Sequence, residues 1–141
     1  MIAHFALLLS LAIRLNADIS FTIADYDLMC RCVMSEAGNQ SFECQEAVAT
    51  VILNRAYCTD KYPDTVQGVI TQKNQFSVAD NGYPTEQVKL AVLYACLKYG
   101  TVEQDIPKAC YYFRSGHYHS FGINYRQIDD MYFSLAEDAT D

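Results

Sequence analysis

Apolar and polar residues alternate along this chain with a helical period in three places, and the first is the most informative. Over Asp27-Leu-Met-Cys-Arg-Cys-Val-Met-Ser-Glu36-Ala-Gly38, a rotation of about 100° per residue puts Leu28, Met29, Cys32 and Val33 on one arc of roughly 140°. Glu36 falls near the middle of that arc. The one carboxylate in the second half of this helix therefore points where the apolar side chains point. Gly38 supplies a stop, so Glu36 also sits in the last turn, where the helix dipole disfavours an anion. Burial and the dipole together favour the protonated form, which a general acid needs near neutral pH. The plainer role is a carboxylate that leans into solvent or pairs with an arginine.

Ser41 is a good cap for the next helix, Phe42 to Arg55. There Glu46, Thr50 and Asn54 recur every four residues as a narrow polar stripe, and almost everything else is aliphatic. This reads as the central buried helix. Gln45 and Arg55 fall on its apolar side and must find partners there. Pairing with Glu36 would hold that acid in its charged form, so Arg55 is expected to bond other acceptors. Glu43 and Glu46 read as ordinary surface carboxylates near a helix start.

The remaining pattern is shorter. Asp18 to Asp25 reads as an extended lead-in with Ile19, Phe21 and Ile23 alternating, and Asp25 or Asp27 as the first helix cap. Thr65 to Ile70 predicts a short helix, and Thr85 caps a third long helix, Glu86 to Tyr99, closing on Gly100. Thr71 to Pro84 is polar and turn-rich. Ala109 to Phe113 reads as a strand, Arg114 to Gly122 as a turn region, and Ile128 to Leu135 as a second strand or edge. The sum is α+β: a mainly helical single domain of three main helices with a small C-terminal antiparallel sheet.

Composition narrows the field. At 141 residues, 51% hydrophobic and 19% charged, the chain is globular with one core. A net charge of −7 without any basic run excludes nucleic acid as a partner. Residues 1–20 form a separate apolar N-terminal segment before the domain at 21–141. The apolar run Met1 to Ile13 is too short to span a bilayer, so no stable membrane insertion is expected. It has the length of a signal-peptide core, and Leu15-Asn16-Ala17 resembles a cleavage neighbourhood, yet no Lys or Arg precedes it. The alternative is an amphipathic helix docked on the domain.

The six cysteines contain no C-x-x-C pair. Cys30 and Cys32 lie about 200° apart on their helix and cannot bridge. Buried free thiols fit better than a disulfide framework or a zinc site. His117 and His119, two apart, face one side if the segment is a strand and would share a metal there. They lack a third ligand in the sequence, and no metal or other cofactor is expected.

Taken in order, Asp27-Leu-Met, Met34-Ser-Glu-Ala-Gly38, Gln45-Glu-Ala-Val-Ala-Thr-Val-Ile-Leu-Asn-Arg55, Tyr62-Pro-Asp-Thr-Val-Gln-Gly-Val-Ile70, Asn74-Gln-Phe-Ser77, Ala91-Val92 and Ala109-Cys-Tyr-Tyr-Phe113 resemble the SleB-type spore-cortex-lytic cell-wall hydrolase family. The resemblance runs over about residues 25 to 135. It implies a lysozyme-like cleft and an enzyme that cleaves the peptidoglycan glycan strand at the MurNAc–GlcNAc β-1,4 bond, as a lytic transglycosylase or muramidase; a monomer is expected. It maps the catalytic acid onto Glu36 and puts Gln75, Phe76 and Ser77 along the substrate. Gln45, Tyr111 and Tyr112 are further substrate-binding candidates, the tyrosines because they can stack on sugars and bond hydroxyls.

The site of action would be the cell wall, reached by export or by release from the cytoplasm. The family's terminal Ile-Gly-Asn-His-aromatic-aromatic run reads here Ile128-Asp-Asp-Met-Tyr-Phe133, without the histidine. Two other readings stand beside this one: a non-catalytic glycan-binding or assembly protein on the same fold, and a metal-dependent hydrolase using His117 and His119.

Overall fold

The helices begin where short polar side chains can take up the first free backbone N–H groups. In the computed structural model, which describes residues 21–73, 75–76 and 83–139, Thr22, Ser41, Thr65 and Thr85 each accept from the N–H three residues on. They open α1 (Ile23–Ala37), α2 (Phe42–Tyr57), α3 (Val66–Thr71) and α4 (Glu86–Lys98). The first cap differs from expectation. Thr22 and Asp25 form a reciprocal capping box, with bonds of 3.1 and 2.9 Å, so α1 starts within the stretch read as extended. The alternation of Phe21 and Ile23 is a coincidence of the helix entry: Phe21 is buried and Ile23 is 43% exposed. The N-terminal apolar segment and Ser77 lie outside the described residues.

α2 is the axis of the molecule. It packs against α1, α3, α4 and the first strand, and every residue from Cys44 to Ala56 is buried. The Glu46, Thr50 and Asn54 stripe is covered with the rest of the helix, as a central buried helix requires. Glu46, read as a surface residue, is 5% exposed and pairs with Lys98 Nζ of α4 at 2.8 Å. Thr50 donates to the Glu46 carbonyl. Asn54 donates to the carbonyls of Pro107 and Cys110 at 2.9 and 3.1 Å, tying down the segment that leads into the sheet. A polar stripe marks a solvent face only where nothing else carries partners for it.

The sheet has three antiparallel strands, β1 (Cys110–Ser115), β2 (Ile123–Ile128) and β3 (Met131–Leu135), in the order β1-β3-β2. Two strands were expected. The stretch taken as one strand from Ile128 is the end of β2, a turn at Asp129-Asp130, and β3. β2 escapes sequence reading because it is a polar edge strand, exposed along most of its length, with a register irregularity between Asn124 and Arg126. Asp129 turns the hairpin at φ 52°, a left-handed position that Asp tolerates better than most residues. Arg126 reaches back to pair with Glu43 at the start of α2. No helix among the described residues is long and apolar enough to cross a membrane.

All six cysteines are free thiols; five are buried and Cys58 is half-buried. Burial pushes the thiols of Cys30, Cys32, Cys44 and Cys110 up to about 12, and that of Cys96 well above its ordinary value. Thiolates are the reactive form. In the native protein an aromatic disulfide reagent near neutral pH is expected to modify Cys58 at most. The same titration in denaturant without reductant should count close to six thiols. A native count matching the denatured one, or a denatured count near zero, would contradict this packing.

Candidate active site

The last turn of α1 carries Glu36, which is half-buried. Gly38 follows as the C-cap in ordinary right-handed conformation, its N–H bonded to the Met34 carbonyl at 3.0 Å. Its lack of a side chain is required by contact, since a Cβ there would stand 2.4 Å from that carbonyl oxygen. No basic residue lies in the last turn. The carbonyls left over at this helix end are taken instead by Gln45. Its side-chain amide nitrogen donates to Ala37 O at 3.0 Å, Gln40 O at 3.2 Å and Gly38 O at 3.4 Å.

Gln45 is wholly buried, and its own oxygen accepts from Gln87 of α4 at 3.2 Å. As a substrate-binding candidate it must be corrected: the amide is spent inside the protein and presents nothing to a ligand. Two further contacts hold the same turn. Gln87 also donates to the Gln40 carbonyl, and the Asp129 carboxylate accepts from Ser41 N–H at 2.9 Å. Bonds from Ser41 hold the Asp129 carboxyl below its usual range.

Arg55 occupies the neighbouring face of α2. It is 6% exposed, donates from Nε to Tyr111 O at 2.7 Å and from Nη1 to Gln75 Oε1 at 3.3 Å, and lies between two rings. The guanidinium carbon is 4.8 Å from the Tyr62 centroid and 5.0 Å from that of Phe76, within cation–π range. Burial lowers its pKa from the ordinary arginine value. The acceptors are a carbonyl and a side-chain amide, as the sequence reading required. Cys32 of α1 is wholly buried. Its thiol is raised mainly by burial, then by the charge of Glu36, and is lowered by that of Arg55.

The other candidates divide. Gln75 is exposed and Phe76 half-buried; the Phe76 ring also meets Phe113 of β1 at 6.1 Å. Tyr111 is 8% exposed, its hydroxyl donated to Cys58 O at 3.1 Å and its ring 6.2 Å from Tyr62, so it serves as a wall. Tyr112 keeps a partly open face. Its hydroxyl bonds Glu137 at 3.3 Å, its ring meets Phe121 edge-on at 5.0 Å, and burial pushes its phenol up to about 12.

His117 and His119 lie in the loop between β1 and β2, each with one ring nitrogen at a backbone carbonyl, and His119 stacks on Phe121 at 4.5 Å. Among the described residues no three His, Cys, Asp or Glu side chains are grouped to hold a metal. Met131, where the resembling family has histidine, is buried in the core. Tyr62 was not singled out from the sequence, although the Tyr62-Pro63 pair stood inside the resembling stretch. Asp129 and Gln87 gave no signal, because both act on backbone far away in sequence.

Residues 39–134 match the Cell Wall Hydrolase family, well over half of the chain. The chain belongs to that family. Among its relatives, the spore cortex-lytic enzyme of Oceanobacillus iheyensis is 37% identical over 84 residues, covering 57% of this chain and 30% of that protein. The spore cortex-lytic enzyme of Bacillus subtilis is 33% identical over 106 residues, covering 72% of this chain and 33% of that protein. The chain thus spans about a third of the length of the curated relatives it matches.

The fold is similar to the crystal structure of the catalytic domain of the Bacillus cereus SleB protein. The TM-score is 0.68 at 27% identity, over 84% of this chain and 95% of the other. It is also similar to the catalytic domain of the germination-specific lytic transglycosylase SleB from Bacillus anthracis. There the TM-score is 0.65 at 27% identity, over 81% of this chain and 96% of the other. The match to these catalytic domains agrees with the α+β architecture of four helices and a three-stranded sheet among the described residues.

In this member of the cell wall hydrolase family, Arg55 is expected to carry structure. Arg55→Met keeps much of the volume but leaves the Tyr111 carbonyl and the Gln75 oxygen without their donor, a cost of about 2–4 kcal/mol. Arg55→Lys should recover only part, because an ammonium lacks the planar fork. Urea denaturation checks both, and a change within about 0.5 kcal/mol for Arg55→Met would contradict this reading.

Proposed function

We propose that the domain cleaves the glycan strand of peptidoglycan at the MurNAc–GlcNAc β-1,4 bond by lytic transglycosylation, with Glu36 as the single acid and base. The observation that carries the reading is the setting of Glu36. It is a half-buried carboxylate at a helix end whose following turn is pinned from α2, α4 and the hairpin. Three other carboxylates are engaged elsewhere: Glu43 pairs with Arg126, Glu46 with Lys98, and Asp129 accepts from Ser41.

Ordinary glycoside hydrolysis uses two carboxyl groups across the scissile bond, whereas transglycosylation needs one. Glu36 gives its proton to the glycosidic oxygen as the bond to the anomeric carbon breaks. The resulting carboxylate takes the proton of the muramic C6 hydroxyl as that oxygen attacks the same carbon. The product is a 1,6-anhydro sugar, no water is consumed, and the acid is restored. Gln75, Phe76 and Tyr112 offer the polar and aromatic surface that a sugar chain requires, and Ser77 continues the Gln75-Phe76 segment. The names of the relatives, spore cortex-lytic enzymes and a lytic transglycosylase, support this assignment.

Glu36→Gln removes the proton with little change of volume. It is expected to lower turnover on purified peptidoglycan by a factor of about 10² or more, with an unchanged circular dichroism spectrum. Mass spectrometry of wild-type products should show anhydromuramic ends, lighter by one water than hydrolytic ends. Clearing by the Glu36→Gln protein at the wild-type rate would remove Glu36 from the chemistry. Hydrated ends would make the enzyme a muramidase.

A further inference from the structure

One side chain in the core has geometry that packing alone does not require. Three consecutive-to-near carbonyls, those of Ala37, Gly38 and Gln40, converge on the amide nitrogen of Gln45. They belong to the turn one to four residues after Glu36. An NH2 group has two protons for three oxygens, so the shortest bonds, to Ala37 and Gln40, fix the path of the turn, and the longer one to Gly38 shares. Gln45 is itself fixed: it is wholly buried on a helix without a solvent face, and its oxygen is held by Gln87.

Helix C-termini are commonly satisfied by Lys, Arg or His in the last turn. None is present in the last turn of α1. A cation there would meet the carbonyls equally well, but would stabilise the ionised form of a carboxylate one residue away. A side-chain amide meets the same carbonyls with no net charge. It also brings shape: planar, with no freedom once its oxygen is bonded, it fixes the direction in which the last turn leaves the helix.

We propose that Gln45 is a positioning residue for the reaction, which sets the backbone that carries Glu36 through a neutral cap on the end of α1. This rests on the reading of Glu36 as the acid. Gln45 touches no substrate. It acts on the peptide units after Glu36, and Gln87 acts on Gln45 in turn. Misplacing an acid relative to the bond it protonates lowers the rate of the chemical step and leaves ground-state binding intact, so the effect belongs in kcat and not in KM.

The test is steady-state kinetics of the full chain on soluble peptidoglycan glycan fragments, at a temperature where each variant's near-ultraviolet circular dichroism matches the wild type. Gln45→Met keeps the length and apolar bulk and removes the donors. It is expected to lose about 10²-fold in kcat with KM unchanged. Gln87→Ala is an exposed change that frees the Gln45 oxygen without opening the core, and should lower kcat several-fold, again with KM unchanged. Wild-type kcat in folded Gln45→Met, or a raised KM at wild-type kcat, overturns the proposal. If Gln45→Met does not fold, Gln87→Ala decides, and an unchanged kcat there overturns it. The parent reading fails on different results, an inactive wild type or an active Glu36→Gln.

Discussion

Between Cys44 and Ala56 the central helix has no face on water, and that constraint shapes most of the molecule. A buried polar group without a partner costs more than a hydrogen bond returns. Each polar side chain on α2 has therefore drawn a different part of the chain onto itself. Gln45 takes the turn after α1, Glu46 the end of α4, Asn54 the lead into the sheet, and Arg55 both β1 and the Gln75-Phe76 segment. Aliphatic contacts hold these elements together, but they are nearly non-directional. The polar contacts say which element sits where, and the one from Gln45 fixes the end of α1 that carries Glu36.

How much of this is legible in the sequence depends on how local each cause is. The caps at Ser41 and Thr85 act on N–H groups three residues away and are readable as such. Thr22 is equally local, yet the alternation of Ile19, Phe21 and Ile23 competed with it. Glu46 and Gln45 show the limit. A polar residue on a helix can face solvent, a ligand or a buried partner, and the choice is made by chain far away: Lys98 for one, the turn at residues 37–40 and Gln87 for the other. Arg55 was easier to place because burying a guanidinium narrows its options to a few acceptors. β2 was hidden for the opposite reason, since an edge strand with one open side needs no apolar pattern.

The site combines rigid and adaptable parts. The turn that follows Glu36 is fixed from three directions by neutral amides and one carboxylate. Elsewhere on α2 the rings of Tyr62 and Phe76 flank Arg55, offering area that tolerates small displacements. Tyr111 and Tyr112, adjacent in sequence, split along the same line, the first locked into the wall and the second partly open.

The burial of the thiols has a consequence for the life of the molecule after it opens. While the fold is intact, the five inner sulfurs are kept protonated and out of reach. Once the chain unfolds in air, those thiols recover ordinary acidity and can join in pairings that the native structure never makes. Refolding then competes with mispairing, and loss of structure becomes a one-way event whose timing is set by the unfolding rate. A domain built this way has a working lifetime fixed by how seldom it opens, and air acts as the agent that ends it.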